Sequence, residues 1–290
     1  MDPEIWAGRV AGGDVRALAR VLSWIENRTP GSDELLAALF AQRRKAWRIG
    51  VTGAPGSGKS TLVDAMVREL RAQGKRVAVL AVDPTSPFTG GAILADRVRM
   101  LDHAADPDVY IRSMATRGSL GGLAAGAADA LVALEAAGFA AALIETVGVG
   151  QAEVDVAALA DQVALVLTPG GGDDMQAIKA GIMEIADVYA INKADQPGAD
   201  ALERHLQALL TLREGDDDPP IVRTVAIKGT GISELLAALW GRPRQAHAAV
   251  RYWRQRLRES LSRGLAERQL PALATSEEID RIAREVAAGD

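Results

Sequence analysis

The chain contains no cysteine and only three histidines in 290 residues. Disulfides, thiolate metal sites and thiol catalysis are thereby excluded. A protein that gathers a metal cargo on His and Cys clusters would lack its donors here. An excess of positive charge is also missing. The formal net charge is −5, which gives no basis for bulk binding to nucleic acid or to an anionic membrane surface. The Ala-rich stretch over residues 118–144 comes nearest to a membrane span, but Asp129 and Glu135 interrupt it. The opening Met1-Asp2-Pro3-Glu4 lacks the basic-then-apolar form of a secretory signal. These absences lead to the expectation of a soluble, cytoplasmic protein. What the chain does have is apolar material, 48% against 24% charged, enough for a sizeable core. Its length fits one large domain with appendages or two modest domains.

Against that background the informative stretch is Gly53-Ala54-Pro55-Gly56-Ser57-Gly58-Lys59-Ser60-Thr61. It fits the phosphate-loop pattern of two glycines around four residues, then Lys, then Ser or Thr. Residues 47–52 alternate through Ile49 and Val51 and predict a strand. Leu62, Val63, Met66, Val67 and Leu70 recur at helical spacing, with Gly74 as a stop signal. Strand, glycine loop and helix aim backbone N–H groups and a positive helix end at one concave spot, as a polyphosphate requires. Lys59 is expected to reach the terminal phosphates and the Ser60 hydroxyl to bind Mg²⁺.

Apolar runs then recur over residues 77–82, 109–114, 141–144, 163–167, 188–191 and 221–227, with helical stretches over 123–137, 175–185 and 201–212. Near-continuous apolar strands joined by helices predict an α/β fold with a largely parallel central sheet covered on both faces. Ligands in such sheets sit beyond the carboxyl ends of the strands. Asp83, followed by Pro84, falls at such an end, where it either faces the metal and its waters or caps a turn. Glu145 closes the run over residues 141–144, the place for a Walker B carboxylate opposite Ser60, and Gly148 lets a backbone N–H approach the terminal phosphate.

Asn192-Lys193-Ala194-Asp195 follows the next such run and matches the guanine-reading pattern Asn-Lys-x-Asp. Guanine offers N1–H and its exocyclic amine as adjacent donors, and a fixed carboxylate accepts both. Adenine would leave Asp195 facing an acceptor, a mismatch that discriminates by roughly 10⁴-fold or more. At Ala226-Ile227-Lys228-Gly229 the backbone N–H groups of Ala226 and Ile227 either close over the base or simply end a strand. Two glycine-rich loops, over residues 116–122 and 169–174, also follow strands. Arg117 in the first either brings charge to the phosphates or a partner, or forms a surface salt bridge.

The flanks read as helical. Residues 1–45 form an extension, with one turn over residues 27–32 and a second helix starting from a Ser32 or Asp33 cap. The cluster Arg43-Arg44-Lys45 is expected to be a solvated helix end. Residues 46–241 form the nucleotide domain. Residues 242–290 form a helical arm, basic over residues 242–264 with Val250, Trp253, Leu257 and Leu261 on one face, which packs either on the same chain or, as expected here, on a second copy as a homodimer.

Taken together, the phosphate loop, Val82-Asp83-Pro84-Thr85-Ser86-Pro87-Phe88-Thr89-Gly90-Gly91, Thr116-Arg117-Gly118-Ser119-Leu120, Glu145-Thr146-Val147-Gly148-Val149-Gly150-Gln151, Pro169-Gly170-Gly171-Gly172-Asp173-Asp174 and Asn192-Lys193-Ala194-Asp195 resemble the MeaB family over nearly the whole chain. Members are P-loop GTPases that act as chaperones of adenosylcobalamin-dependent acyl-CoA mutases. Older usage names the group ArgK-like transport kinases. The resemblance implies GTP and GDP as ligands and Mg²⁺ as cofactor. It implies Lys59, Asp96 and Glu145 as the catalytic set, with Ser60, Asp83, Asp96 and Glu145 around the metal. Asn192, Lys193 and Asp195 would hold guanine. A switch over residues 170–179, with Asp173 and Lys179 as contacts, would couple hydrolysis to the mutase. It also implies an arm longer than the one ending at Asp290, so a shortened dimerisation arm is expected. Intrinsic hydrolysis is expected to be slow and partner-stimulated, because no Gln directly follows the Glu145–Gly148 motif. A nickel-inserting GTPase, a small-molecule kinase and a non-hydrolysing scaffold are the competing classes.

Overall fold

A computed structural model describes residues 2–83, 103, 105–115, 122–146, 159–170, 182–211, 218–242, 281, 284 and 285. The strands are β1 (Trp47–Gly53), β2 (Val77–Asp83), β3 (Val109–Ala115), β4 (Ala141–Thr146), β5 (Gln162–Leu167), β6 (Val188–Ile191) and β7 (Ile221–Arg223). They form one seven-stranded sheet in the order β3-β2-β4-β1-β5-β6-β7. Every pairing in it is parallel, which confirms the α/β class. The central strand β1 lies between β4 and β5, where the winding direction reverses. Ligand crevices open at such a switch point. Among the described residues no helix is long and apolar enough to cross a membrane.

Alternation along the strands sorts the core into two layers. Val77 and Val79 of β2 and Ala164 and Val166 of β5 join one cluster with helices α4 (Lys59–Ala72) and α7 (Ile232–Gly241). Their neighbours Ala78, Leu80 and Val82 face the opposite layer, together with α5 (Gly122–Ala136). On that same face Leu165 and Leu167 pack with α6 (Ala199–Leu210). Because both faces are covered, the strands read as continuous apolar runs rather than as alternating ones.

The N-terminal extension contributes to the second layer. Helices α1 (Pro3–Ala11), α2 (Val15–Glu26) and α3 (Ser32–Gln42) bury Leu18, Val21, Leu22, Leu35 and Leu39 in the cluster that contains α5. Burying each such side chain contributes about 1.5–3 kcal/mol. Arg112 of β3 adds an ion pair to Glu26 of α2 at 2.6 Å.

Four local readings are corrected. The first helix is two helices: Gly13 turns the chain at φ +85 and Asp14 caps α2 by accepting from Ala17 N–H. Val10 and Leu18 carry the apolar spacing across that break. Helix α3 has Gly31, at φ +87 and without a side-chain cap bond, where a Ser32 or Asp33 cap was expected. The run over residues 221–227 pairs only as the three-residue β7. It then bends into a 3-10 turn over Ala226–Lys228, closed by a Val225–Thr230 bridge. Of the helix expected over residues 175–185, the described end Ile182–Ile185 is 3-10. Arg281, Arg284 and Glu285 are helical, with Arg281 and Glu285 bonded one turn apart at 2.7 Å. The remainder of the expected arm beyond Arg242 lies outside the described residues.

Candidate functional site

The phosphate loop leaves β1 where the sheet leaves no room for a side chain. Gly53 has φ +143, and a Cβ there would stand 2.2 Å from the Val166 carbonyl oxygen of the adjacent β5. Glycine is therefore obligatory at the exit. Gly58 caps α4 at φ +88 and, lacking a side chain, makes no cap bond of its own to the first N–H groups of that helix. Those groups and the helix dipole face the loop's concavity, which favours an anion. Ser57 is 1% exposed. Among the described residues its Oγ has no hydrogen-bond partner, a buried polar atom that a phosphate oxygen would satisfy. Ala54 is buried, Pro55 and Gly56 face solvent, and Thr61 is half-buried in the first turn of α4.

Lys59 is folded back on this loop. Its Nζ donates to the Gly53 carbonyl at 2.7 Å and to the Ala54 carbonyl at 3.0 Å. One residue on, the Ser60 hydroxyl donates to Glu145 Oε1 at 2.5 Å. Glu145 is brought there by register: β4 pairs it with Val51 of β1 and Ala81 of β2, and only 1% of it is exposed. Hydroxyl and carboxylate together are a hard-oxygen pair suited to Mg²⁺. The fit of metal and phosphate thus rests on three features of this site: the orphaned Ser57 hydroxyl, the glycine-capped start of α4 and the Ser60–Glu145 oxygen pair. Asp83 ends β2 at the same edge, opposite Ala115 and one residue past Val82, which pairs with Thr146.

The Asn192–Asp195 motif follows β6, two strands from β1. Asn192, 2% exposed, does more than sit near a base. Its Nδ2 donates to the Ser57 carbonyl at 3.0 Å, while its Oδ1 accepts from Ala226 N–H at 3.2 Å and from the Thr224 hydroxyl at 3.3 Å. One side chain thereby joins the phosphate loop to the turn after β7. The fit is close: a Cβ on Gly58 would lie 2.5 Å from Asn192 Nδ2. Lys193, with φ +55, reaches over the loop to donate to the Gly56 carbonyl at 2.8 Å. Asp195 is exposed at the rim and bonded to Lys228 Nζ at 2.9 Å. The Lys228 ammonium holds the Asp195 carboxyl below the usual carboxylate range.

The structure thus brings together Gly53 to Thr61, Glu145, Asn192, Lys193, Asp195 and the turn carrying Ala226 and Ile227 along one edge of the sheet. The Ala226 N–H, read as either closing over a base or ending a strand, donates to Asn192 Oδ1. Ile227 presents its side chain to solvent, 76% exposed. Asp96, Arg117, Asp173 and Lys179 lie outside the described residues. Sequence reasoning missed Thr224 and the Lys228 ammonium. Lys228 is adjacent to the flagged Ala226 and Ile227, but spacing alone does not reveal which carboxylate its side chain meets.

Two similar proteins are described as GTPases and a similar solved structure as a transport system kinase. A GTPase of Escherichia coli K12, ArgK, is 38% identical over 290 residues, covering 96% of this chain and 88% of its own. A Pyrococcus abyssi protein of GTPase description is 52% identical over 232 residues, 78% of this chain and 72% of its own. Among solved structures, that of a LAO/AO transport system kinase superposes with a TM-score of 0.70 at 29% identity, over 91% of this chain and 84% of its own. The family model for the methylmalonyl-CoA mutase-associated GTPase MeaB matches residues 18–277. With that match along most of its length, and with Lys59, Ser60, Glu145 and the Asn192–Asp195 segment on one sheet edge, the chain belongs to the MeaB family of GTPases.

Proposed function

We propose that this chain is a GTP-hydrolysing chaperone that gates cofactor loading into an adenosylcobalamin-dependent acyl-CoA mutase. The observation that carries the nucleotide part is the convergence of Lys59, Ser60, Glu145 and the Asn192 tie at one crevice. The mutase part rests on the family's description as methylmalonyl-CoA mutase-associated. Methylmalonyl-CoA, isobutyryl-CoA and 2-hydroxyisobutyryl-CoA mutases are the partners to test.

In this reading the N–H groups from Gly53 to Thr61 cradle the phosphates. Lys59 exchanges its two loop carbonyls for phosphate oxygens, and Asp195 accepts the donors of guanine. Ser60 and Glu145 hold Mg²⁺, with Asp83 and Asp96 serving its waters. Mg²⁺ supplies neutralisation of charge on the phosphate oxygens. Asn192 fixes the distance between the phosphate and base ends of the crevice. Arg117, Asp173 and Lys179 are assigned to the loops that report nucleotide state to the partner. Residues 242–290 are assigned to a homodimer contact. Coupling between nucleotide and mutase on this scheme is worth roughly 1–3 kcal/mol.

The test is GTP turnover by the full chain with each mutase added. A saturable rise with one of them is expected, and a rate unchanged at saturating partner refutes the gating role. Because the solved neighbour is named a transport system kinase, the products are analysed as well. GDP and inorganic phosphate alone are expected; a phosphorylated acceptor would favour the kinase reading.

A further inference from the structure

Asp195, read above as the acceptor for guanine, already holds a cation. Lys228 Nζ donates to its Oδ2 at 2.9 Å across 33 residues of sequence. The two meet because β6 and β7 pair in parallel and each hands its next loop to the same rim. The base of Lys228 is well fixed. Its N–H bonds the Val225 carbonyl, Gly229 turns the chain at φ +70, and the Val225–Thr230 bridge closes the turn. The pair itself is solvated, with side-chain exposures of 60% for Lys228 and 38% for Asp195. It is therefore an exchangeable contact rather than a buried one.

Guanine needs both Asp195 oxygens at once, one for N1–H and one for the exocyclic amine. An ammonium on Oδ2 takes the place of one of these donors and lowers the carboxylate's pull on the other. We propose that Lys228 is a tethered stand-in for guanine: it occupies Asp195 while the crevice is empty, is displaced by the incoming base, and so sets guanine-nucleotide affinity from outside the phosphate loop. The inference rests on Asp195 being the guanine acceptor. The opposite arrangement, a lysine that stays and supports the base, predicts a change of opposite sign.

The experiment is calorimetric titration of GDP into the full chain, with wild type compared against Lys228→Met and Lys228→Gln. Both variants keep most of the stem and remove the charge. Each is expected to bind GDP about 2–5-fold tighter at low ionic strength, the range an exposed ion pair supplies. The ratio to wild type is expected to fall towards one near about 1 M salt, where the Debye length is about 3 Å. Equal or weaker binding by the variants at low salt overturns the proposal, as does a gain that persists at high salt. A wild type that takes up no GDP removes the guanine reading itself, and the proposal with it. A wild type that binds GDP beside unimproved variants overturns only the role of Lys228.

Discussion

Asn192→Ala separates a scaffold residue from a base reader, because the structure assigns this side chain three bonds inside the protein. They run to the Ser57 carbonyl at 3.0 Å, from Ala226 N–H at 3.2 Å and from the Thr224 hydroxyl at 3.3 Å. Asn192 and Thr224 are both buried, so the stranded partners are poorly reached by water. Each net bond contributes about 0.5–1.5 kcal/mol, and a stranded buried group costs about 1–3 kcal/mol. Local relaxation of the loop around the Ser57 carbonyl offsets some of this. The expected destabilisation is about 2–4 kcal/mol, which for a chain of this size lowers the melting temperature by about 3–7 °C. GDP affinity falls with it, since the phosphate loop and the turn after β7 lose their common tie. The assay is scanning calorimetry of the nucleotide-free protein beside Asp195→Ala. That control is expected to lose GDP binding while melting within about 2 °C of wild type, its side chain being at the rim. An Asn192→Ala protein that melts with wild type and loses only binding would refute the scaffold argument.

Further outcomes are expected elsewhere in the site and the fold. Gly53→Ala places a methyl group 2.2 Å from the Val166 carbonyl oxygen, so the variant is expected to lose about 3 kcal/mol or more and all nucleotide binding, read by thermal melting and titration. Lys59→Ala is expected to lower GTP turnover by about 10²-fold or more, and turnover at the wild-type rate would remove Lys59 from the chemistry. Glu145→Gln is expected to shift the Mg²⁺ dependence of turnover to higher concentration, measured by metal titration at saturating GTP. Hydrogen bonding from Arg71 holds the Asp106 carboxyl below its usual range. Its stabilisation is therefore present above the ordinary carboxylate pKa and lost as pH falls through the lower folded value. Melting curves below about pH 4 are expected to fall less steeply for Arg71→Gln than for wild type.

The sheet was legible wherever an apolar run ended at a polar residue that the fold also uses. Residues 188–191 are a strand to the residue because Asp187 and Asn192 bracket them, the first accepting from Val163 N–H and the second opening the guanine motif. The run over residues 221–227 misled because Val225 and Ile227 keep the apolar alternation, yet Val225 bridges to Thr230 and Ile227 faces solvent. The break between α1 and α2 was hidden for the converse reason: Val10 and Leu18 bury in the same cluster from different helices. Within the site, residue types and spacing located the phosphate loop, Glu145 and Asp195. They did not reveal that Asn192 bonds Ser57 across 135 residues, or that Lys228 meets Asp195. Such partners depend on strand order and loop curvature, which one-dimensional periodicity does not carry.

Calorimetric titration of GDP and of ADP into the same Mg²⁺-containing sample of the full chain tests the guanine crevice most directly. A single GDP site is expected, with ADP affinity weaker by roughly 10⁴-fold or more, because Asp195 accepts from guanine and faces an acceptor on adenine. Comparable affinity for both nucleotides, or uptake of neither, would contradict it.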